Sequence, residues 1–334
     1  MKKRIALLYG GASKEHDVSV AGYEYLSALL YDTEYEILPV YIRADGEWTV
    51  RIGDKDVPSY PTRKNSGSLY TGYDFIKIDA AIPLLHGVGG EDGTVQGALE
   101  VSGIPYVGAR VSASAICLDK SIAKTVAKSL GISTLDDVVF SENTDTEDAL
   151  RLCLERLGFP MFIKPRRLGS SVGAFPIRAE DDFRLHFDEA MRLGDNLVIV
   201  ERMLCDKREL ECAFIGMDGK RIITPPGEIL VDGFYGYDEK YGGKTRTAPR
   251  AELDKDVSIR IQGYARMLAD SLELRHLARI DFFLLENDVY FNEINTFPGF
   301  TKESLYPKML EANGIAPRTA ILSLIEDALG GRTL

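Results

Sequence analysis

The sequence contains few of the residues that build metal clusters or disulfide frameworks. Among its 334 residues there are four cysteines and four histidines. The cysteines, Cys117, Cys153, Cys205 and Cys212, form no CxxC pair and show no metal-ligand spacing, and the histidines are scattered along the chain. We therefore expect reduced thiols that pack as small apolar side chains in a cytoplasmic protein, and no zinc site.

Long apolar runs and an excess of positive charge are also missing. No apolar run approaches the roughly 20 residues that cross a bilayer, and the apolar run in MKKRIALLYGG is shorter than the hydrophobic region of a signal peptide. The formal net charge is −11, whereas binding to nucleic-acid phosphates requires clustered basic residues. We expect neither a membrane nor a nucleic acid as a partner.

The start of the chain has the pattern of an α/β layer, and the length of 334 residues favours two or three domains. An apolar strand, RIALLY, runs into Gly10-Gly11 and then into a helix predicted over 18–30. Ligands bind at the carboxyl ends of such strands, and Glu15 lies at this one. Position alone favours the alternative that residues 13–17 only cap the helix.

Two glycine-rich loops follow predicted strands farther along. His86 ends the strand 80–85 and precedes GVGGEDGTVQGALE, in which five glycines indicate close backbone approach or left-handed turns. A structural hydrogen bond is the more common role of such a histidine. In the second loop, Lys164 leads into Gly169-Ser170-Ser171, which offers the amides, hydroxyls and ammonium group of a phosphate cradle. A β-hairpin with exposed serines is the alternative.

The stretch ARIDFFLLENDVYFNEIN predicts a β-hairpin, because two apolar runs flank residues 286–288. A three-residue loop would place Asp281 opposite Glu293 and Arg279 opposite Asn295, with all four side chains on one face. Oxygen ligands of this kind suit a hard cation such as Mg²⁺ shared with phosphate groups. An exposed polar sheet face is the alternative.

Three further segments complete the reading of the chain. Residues 113–130 are predicted as one long helix that contains Lys120. The strand exit at Glu201, followed by Glu209, is a place where a nucleotide base could lie between two domains. The aromatic- and glycine-rich segment at about 228–247 has no strand or helix periodicity and predicts a lid that orders on closure.

Taken together, six motifs resemble those of the D-alanine–D-alanine ligases of the ATP-grasp fold. They are GGASKEHDVSV, LHGVGGEDGTVQGALE, the helix with Asp119-Lys120, IKPRRLGSSVG, FYGYDEKY, and ARID with NEINTFPGFTKESLYP. The motifs follow the family's order from Gly10 to about Pro307. The resemblance implies a three-lobed α/β protein: an N-terminal lobe, 1–108, with a doubly wound parallel sheet, a central lobe, 109–204, and a C-terminal lobe, 205–334, carrying the metal site and the lid.

The resemblance also implies roles for individual residues. Those implied for the nucleotide and its two Mg²⁺ ions, which Mn²⁺ can replace, are Asp281, Glu293 and Asn295 for the metals, Lys120, Lys164, Ser171 and Lys240 for the phosphates, and Glu201, Met203, Leu204 and Glu209 for the adenosine. Those implied for the substrates are Glu15, His86, Ser170 and Tyr241 for the first D-alanine, Arg279 and the N–H of Gly299 for the oxyanion, and Ser304 and Leu305 for the carboxylate of the second.

The activity implied is ATP-dependent ligation of two D-alanines through an acylphosphate, for peptidoglycan precursor synthesis, in a homodimer joined through the N-terminal lobe. Several residues depart from the family pattern: Leu168, Arg202, Met203, Phe297 and Lys302-Glu303. The last pair lies near the second-substrate pocket, so a D-alanine–D-serine ligase of the vancomycin-resistance type is the alternative. Tyr241 argues against a D-lactate acceptor. An inactive ATP-binding homologue is the least favoured reading.

Overall fold

The structure is a computed structural model that describes residues 2–169, 172–194, 196–230 and 246–330. Its first part is an α/β unit in which the buried strand β1 lies between two parallel neighbours, β2 and β8. The elements are β1 (Arg4–Gly10), α1 (His16–Leu29), β2 (Glu36–Ile42), β3 (Trp48–Ile52), β4 (Lys55–Pro58), β5 (Tyr60–Thr62), β6 (Ser68–Tyr70), β7 (Phe75–Lys77), β8 (Ala80–Pro83) and α2 (Thr94–Ser102).

The main sheet of this unit has the order β4-β3-β2-β1-β8. Only β2, β1 and β8 are parallel, since β3 and β4 join as antiparallel hairpin strands. A separate antiparallel sheet, β5-β6-β7, lies within the segment between β4 and β8. The carboxyl ends of β1 and β8 lead directly into the two loops that carry Glu15 and His86. Both residues therefore lie at the end of the sheet where its parallel strands finish.

The middle of the chain forms an antiparallel sheet of order β11-β10-β12-β9 with its own apolar core. Helices α5 and α6 pack on it through buried residues such as Ala149, Phe183 and Phe187. The elements are α3 (Val111–Leu118), α4 (Lys120–Ser129), β9 (Asp137–Phe140), α5 (Thr146–Arg156), β10 (Met161–Pro165), β11 (Phe175–Ile177), α6 (Glu180–Leu193) and β12 (Val198–Arg202).

The prediction of one long helix over 113–130 is wrong, because the chain breaks at Asp119. This residue is extended, with φ −81° and ψ 98°, and its carboxylate accepts the backbone N–H of Ile122 as the N-cap of α4. Arg166 and Arg167 also donate to the same carboxylate. Partners distant in sequence therefore fix the break, and α4 starts at Lys120.

The last part of the chain is built on the sheet β16-β15-β13-β17-β18, with β14 paired to β13. The elements are β13 (Arg208–Met217), β14 (Lys220–Ile223), β15 (Gly227–Leu230), β16 (Arg246–Ala248), α7 (Lys255–Ser271), β17 (Leu277–Leu285), β18 (Asp288–Asn295), α8 (Leu305–Ala312) and α9 (Pro317–Leu329). The ends of the predicted lid, 228–230 and 246–247, are not loop but paired strands. The rest of it, 231–245, lies outside the described residues.

The predicted pairing across the hairpin of β17 and β18 is confirmed, but the predicted loop is wrong. Asp281 pairs with Glu293 and Arg279 with Asn295, while the loop has two residues, Glu286 and Asn287. A register shift between Asp281 and Phe282 inserts one extra residue, Asn292, into β18. This bulge restores the pairing that a two-residue loop alone would have lost.

The apolar cores cross the boundaries between the predicted lobes. Residues of β1, β8 and α1 share one core with β13, α8 and α9, and residues of α3 and α4 share another with α7, β17 and β18. The predicted lobe boundaries remain a prediction. Among the described residues, no helix is both long enough and apolar enough to cross a membrane.

Candidate active site

A cavity of about 460 Å³ opens between the central sheet and the C-terminal sheet. Its volume falls within the range of small-molecule sites. Most of the residues that the resemblance implied for ATP and metal line it: Lys120, Lys164, Glu201, Met203, Leu204, Glu209, Asp281 and Glu293. Arg279, implied for the oxyanion, lines it as well. The structure therefore brings together residues that are up to 173 positions apart in the sequence.

The central-sheet side of this cavity carries Glu201 between two lysines. Phe162 of β10 pairs with Glu201 of β12, and Lys164 pairs with Ile199, so Lys164 and Glu201 are diagonal neighbours on one face. Lys164 donates from Nζ to Glu201 Oε2 at 2.6 Å, and Lys124 donates to Glu201 Oε1 at 2.5 Å.

The pKa of Glu201 reflects this arrangement. Burial would raise the pKa of this carboxyl, but the charges and hydrogen bonds of Lys124 and Lys164 outweigh burial and hold it well below its ordinary value. For Lys164, burial alone would lower the pKa, and Glu201 raises it above its ordinary value. Glu201 and Lys164 are therefore both charged at neutral pH.

The C-terminal sheet contributes an acidic face to the same cavity. Glu211 of β13 pairs with Asp281 of β17, and Asp281 pairs with Glu293 of β18, which places three carboxylates in register on neighbouring strands. Arg279 donates from Nε and Nη2 to the two oxygens of Asp281 at 2.8 and 2.7 Å. Its Nε is 3.2 Å from Glu211 Oε2, and Asn295 Nδ2 donates to Asp281 at 3.1 Å.

Burial would lower the pKa of Arg279, but Asp281 and Glu211 raise it well above its ordinary value. The guanidinium is therefore a permanent, fixed positive charge beside the acidic groups. Within the described residues, no set of three His, Cys, Asp or Glu side chains is arranged to hold a metal unaided. Asp281, Glu293 and Asn295 supply oxygen donors of the type that hard cations prefer, and they leave positions for ligands from a bound phosphate.

Lys120 joins the acidic face to the loop that follows β10 and contains Leu168. As the first residue of α4, it donates from Nζ to the backbone oxygen of Leu168 at 2.6 Å and lies 3.4 Å from Glu293 Oε2. The side chain of Lys120 is 11 % exposed. A phosphate entering the cavity would therefore meet Lys120 where the loop and the acidic face adjoin.

A small cavity of about 20 Å³ adjoins the main site and is lined by Glu15, Glu91, Lys120, Glu293 and Asn295, among other residues. Glu15 occupies the N-cap position of α1, as the capping alternative expects, but its side chain makes no capping hydrogen bond. A Cβ added to Gly87 or to Gly169 would lie 3.1 Å from Glu15 Oε2. The two glycines thus allow both loops to approach this carboxylate.

Glu91 is a buried acid in the loop that follows His86, and it connects this loop to the end of the β17–β18 hairpin through hydrogen bonds. It accepts the backbone N–H of Gly87 at 2.9 Å and that of Phe297 at 3.2 Å. Burial, followed by repulsion from Glu15, raises its pKa to about 7. The predicted ligand His86 is also buried, and its ring lies edge-on to Phe297 with the centroids 6.5 Å apart.

The residues implied for the second substrate lie at the start of α8. Ser304 is the N-cap residue, and Leu305 is the first residue of the helix. The Ser304 hydroxyl oxygen accepts the backbone N–H of Thr301 at 3.2 Å and lies 2.8 Å from the Thr301 hydroxyl. A Cβ added to Gly299 would lie 3.1 Å from that serine oxygen, so the glycine leaves room for this close approach.

Four of the residues implied by the resemblance lie outside the described residues: Ser170, Ser171, Lys240 and Tyr241. Their roles remain predictions.

Comparison with known proteins agrees with the motifs. Residues 4–109 match the family model for the D-ala D-ala ligase N-terminus, and residues 126–326 match that for the D-ala D-ala ligase C-terminus. The D-alanine–D-alanine ligase of Solibacter usitatus is 40% identical over 334 residues, covering 98% of this chain and 96% of its own length. That of Deinococcus radiodurans is 38% identical over 352 residues, covering 99% of this chain and 100% of its own length.

The chain belongs to the D-alanine–D-alanine ligase family.

Solved structures confirm the ATP-grasp architecture of this ligase family. The D-alanyl-alanine synthetase A of Vibrio cholerae superimposes with a TM-score of 0.89 at 34% identity, over 99% of both chains. The VanG D-Ala:D-Ser ligase of Enterococcus faecalis has a TM-score of 0.86 at 31% identity, over 98% of this chain and 100% of its own.

Three residues at this ligase site were not predicted from the sequence. Lys124 follows Lys120 by one helical turn on the same face of α4, and Glu211 follows Glu209 by two positions in a strand, so helical and strand periodicity could have indicated both. Glu91 lies among the glycines of its loop, where its acidic side chain was the available signal. In each case, the partner that gives the residue its importance is distant in the sequence.

Proposed function

We propose that this protein uses ATP to join two D-alanine molecules into D-alanyl-D-alanine for peptidoglycan precursor synthesis. The observation that carries the proposal is the cavity with basic groups on one side and an acidic, arginine-containing face on the other. A nucleoside triphosphate with its divalent cations has the charges that complement both sides. Family membership supplies the reaction class, a ligase that forms a carbon–nitrogen bond.

ATP would lie with its adenosine along β12 and β13, where Glu201, Met203, Leu204 and Glu209 line the cavity. Its phosphates would extend toward Lys164 and Lys120. Because neighbouring ammonium groups neutralise charge that spreads over a transferring phosphoryl group, these lysines favour the transfer step. Ser171 and Lys240 would add contacts from the loop and the lid.

Two Mg²⁺ ions would be held by Asp281, Glu293 and Asn295, and Mn²⁺ is an acceptable substitute for the same oxygen donors. Such ions neutralise the triphosphate and stabilise charge on the oxygens of the displacement. Before the ions bind, the bidentate contact of Arg279 holds the Asp281 carboxylate at the lining of the cavity.

The first D-alanine would be bound by Glu15 and His86, with Ser170 and Tyr241 completing its site. Its carboxylate attacks the γ-phosphorus of ATP, ADP leaves, and an acylphosphate forms. The amine of the second D-alanine then attacks the acyl carbon, and the resulting oxyanion is stabilised by Arg279 and the N–H of Gly299. Inorganic phosphate leaves as the peptide bond forms.

The carboxylate of the second amino acid would lie at Ser304 and Leu305. These residues start α8, and the backbone N–H groups of a helix N-terminus favour a bound anion. A lid over about 228–247 would exclude water, which otherwise hydrolyses the acylphosphate. We further propose a homodimer in the cytoplasm, where ATP is available.

D-alanine–D-serine ligation is the second candidate. It is favoured by the likeness to the VanG enzyme and by Lys302-Glu303, which departs from the usual family pattern beside Ser304. In the structure both residues are exposed, and the Glu303 carboxylate lies 3.2 Å from Lys308.

Phosphate release from ATP and Mg²⁺ tests both candidates. We expect release with D-alanine alone, and D-alanyl-D-alanine as the product identified by mass spectrometry. A strong preference for D-alanine with D-serine, and a mixed dipeptide product, would favour the second candidate. Lack of stimulation by any D-amino acid would contradict the ligase function.

A further inference from the structure

Lys124 is a buried lysine on the inner face of α4. Its side chain is 2 % exposed, and two other buried residues of the helix, Ala123 and Ala127, are small and fully buried. An ammonium group in such a place is costly unless it is paired and hydrogen-bonded. Lys124 therefore depends on the partners that it reaches across the helix–sheet interface.

The main partner of Lys124 is Glu201, at 2.5 Å, and a second carboxylate, Asp137, lies 3.5 Å away. Asp137 is closer to Lys128, at 2.8 Å, a lysine of the same helix whose side chain is 51 % exposed. The buried lysine is thus connected chiefly to the cavity, and the exposed lysine to the surface.

The two oxygens of Glu201 are divided between two lysines. Oε1 accepts from Lys124 and Oε2 from Lys164. Without the charge of Lys124, the single charge of Glu201 would fully offset that of Lys164, and this wall of the cavity would carry no net positive charge. With Lys124 present, the three side chains have a net charge of +1. Lys164 can then interact with a phosphate while Lys124 still offsets the charge of Glu201.

We propose that Lys124 is a positioning residue for the nucleotide, which holds the Glu201 carboxylate in place and so leaves the Lys164 ammonium available to the phosphates of ATP. This inference rests on the proposed function, because it assumes that ATP occupies the cavity. Lys124 itself lies behind Glu201 and has no need to touch the nucleotide.

Binding of ATP in the presence of Mg²⁺ and the absence of D-alanine, measured by calorimetric titration, tests the inference. We expect Lys124→Met to weaken ATP binding by about tenfold. In steady-state assays the KM for ATP should rise, while the KM for D-alanine stays close to that of the wild type. Lys128→Met is the matched control, on the same helix and with Asp137 as a common neighbour, and should bind ATP like the wild type.

A double-mutant cycle separates this role from general destabilisation. If Lys124 acts by balancing Glu201, Lys124→Met should change ATP binding by less than about twofold in a Glu201→Gln background. The same tenfold loss in both backgrounds would overturn the inference. Should Lys124→Met fail to fold, Lys124→Gln keeps a hydrogen-bond donor to Glu201 without the charge, and wild-type ATP affinity in that variant would equally overturn it.

Failure of the inference is distinguishable from failure of the proposed function. If the wild-type protein binds ATP and Lys124→Met binds it equally well, only the positioning role is wrong. If the wild-type protein does not bind ATP with Mg²⁺, both are wrong.

Discussion

The two sides of the main cavity carry an excess of opposite charge. On the central-sheet side, Glu201 is shared by Lys124 and Lys164, so positive charge is in excess. On the C-terminal side, carboxylates on three neighbouring strands, including Asp281, surround the guanidinium of Arg279, so negative charge is in excess. Neither side balances its own charge with the residues that it contains. The difference indicates a ligand that is anionic toward one side and brings cations to the other.

Replacing a carboxylate on the acidic side should have the largest effect. Asp281→Asn keeps the size of the side chain but removes the charge that would bind the cation. We expect kcat to fall by about three orders of magnitude, with a higher Mg²⁺ concentration needed for half-maximal rate. Steady-state assays over a Mg²⁺ series measure both.

Asp288→Asn, at the exposed start of β18, is the control for this prediction and should retain wild-type rates. If Asp281→Asn kept its activity and its Mg²⁺ requirement, the acidic side would have no role in metal binding, and the contrast between the two sides would lose its functional meaning.

On the basic side, the next largest effect concerns stability. Glu201→Gln would leave Lys124 and Lys164 buried without the charge they share, which costs about 3–5 kcal/mol in the free energy of unfolding. Urea-induced unfolding measures this loss. Glu147→Gln, which breaks an exposed pair with Arg184, should leave the free energy of unfolding nearly unchanged. Equal costs for the two variants would show that the buried trio is no more strongly coupled than a surface pair.

Glu91 lines the small cavity beside the main site, and its oxygens accept backbone N–H groups, whereas those of Glu201 accept lysine ammonium groups. Its pKa of about 7 in the folded protein is above the ordinary 4.5, so between these values the folded state retains a proton that the unfolded state has lost. Stability should therefore fall as the pH rises from 4.5 through 7.

Glu91→Gln removes this titration. The difference in unfolding free energy between wild type and variant should change by about 2.5 kcal/mol between pH 5 and pH 8, with the wild type losing more. His276, whose pKa burial lowers to about 3, titrates in the opposite sense but is common to both proteins and cancels in the difference. Parallel pH profiles for the two proteins would contradict the assignment.

The sequence predicted the acidic side better than the basic side, for a physical reason. Strand periodicity is local, so the facing of Asp281 and Glu293 followed from a single hairpin, even though the loop was one residue shorter than expected and the Asn292 bulge compensated for it. The basic side depends on packing between α4 and β12, and no local pattern shows that Lys124 reaches Glu201, 77 positions away.

The break between α3 and α4 has the same explanation. Helical periodicity continues through Asp119, and the side chains that hold it, Arg166 and Arg167, come from a loop far along the chain. The motifs nevertheless identified the family, and most of the residues they implied for ATP and metal line one cavity. What the sequence could not provide was the set of residues that support those ligands from behind.

Replacing Glu211 should have the smallest effect on the rate, and it tests which carboxylates of the acidic side bind the metal. Its carboxylate lies 3.2 Å from Arg279 and in register with Asp281, so it could serve as a third metal ligand or as a second anchor for the guanidinium. We favour the anchor, because Arg279 then keeps one carboxylate partner while Asp281 binds the cation. Glu211→Gln should lower kcat by about tenfold, since the guanidinium that we propose stabilises the oxyanion is less firmly held, and leave the Mg²⁺ concentration for half-maximal rate unchanged. A raised Mg²⁺ requirement, as expected for Asp281→Asn, would instead make Glu211 part of the metal site, and the acidic side would then hold its cations with three carboxylates.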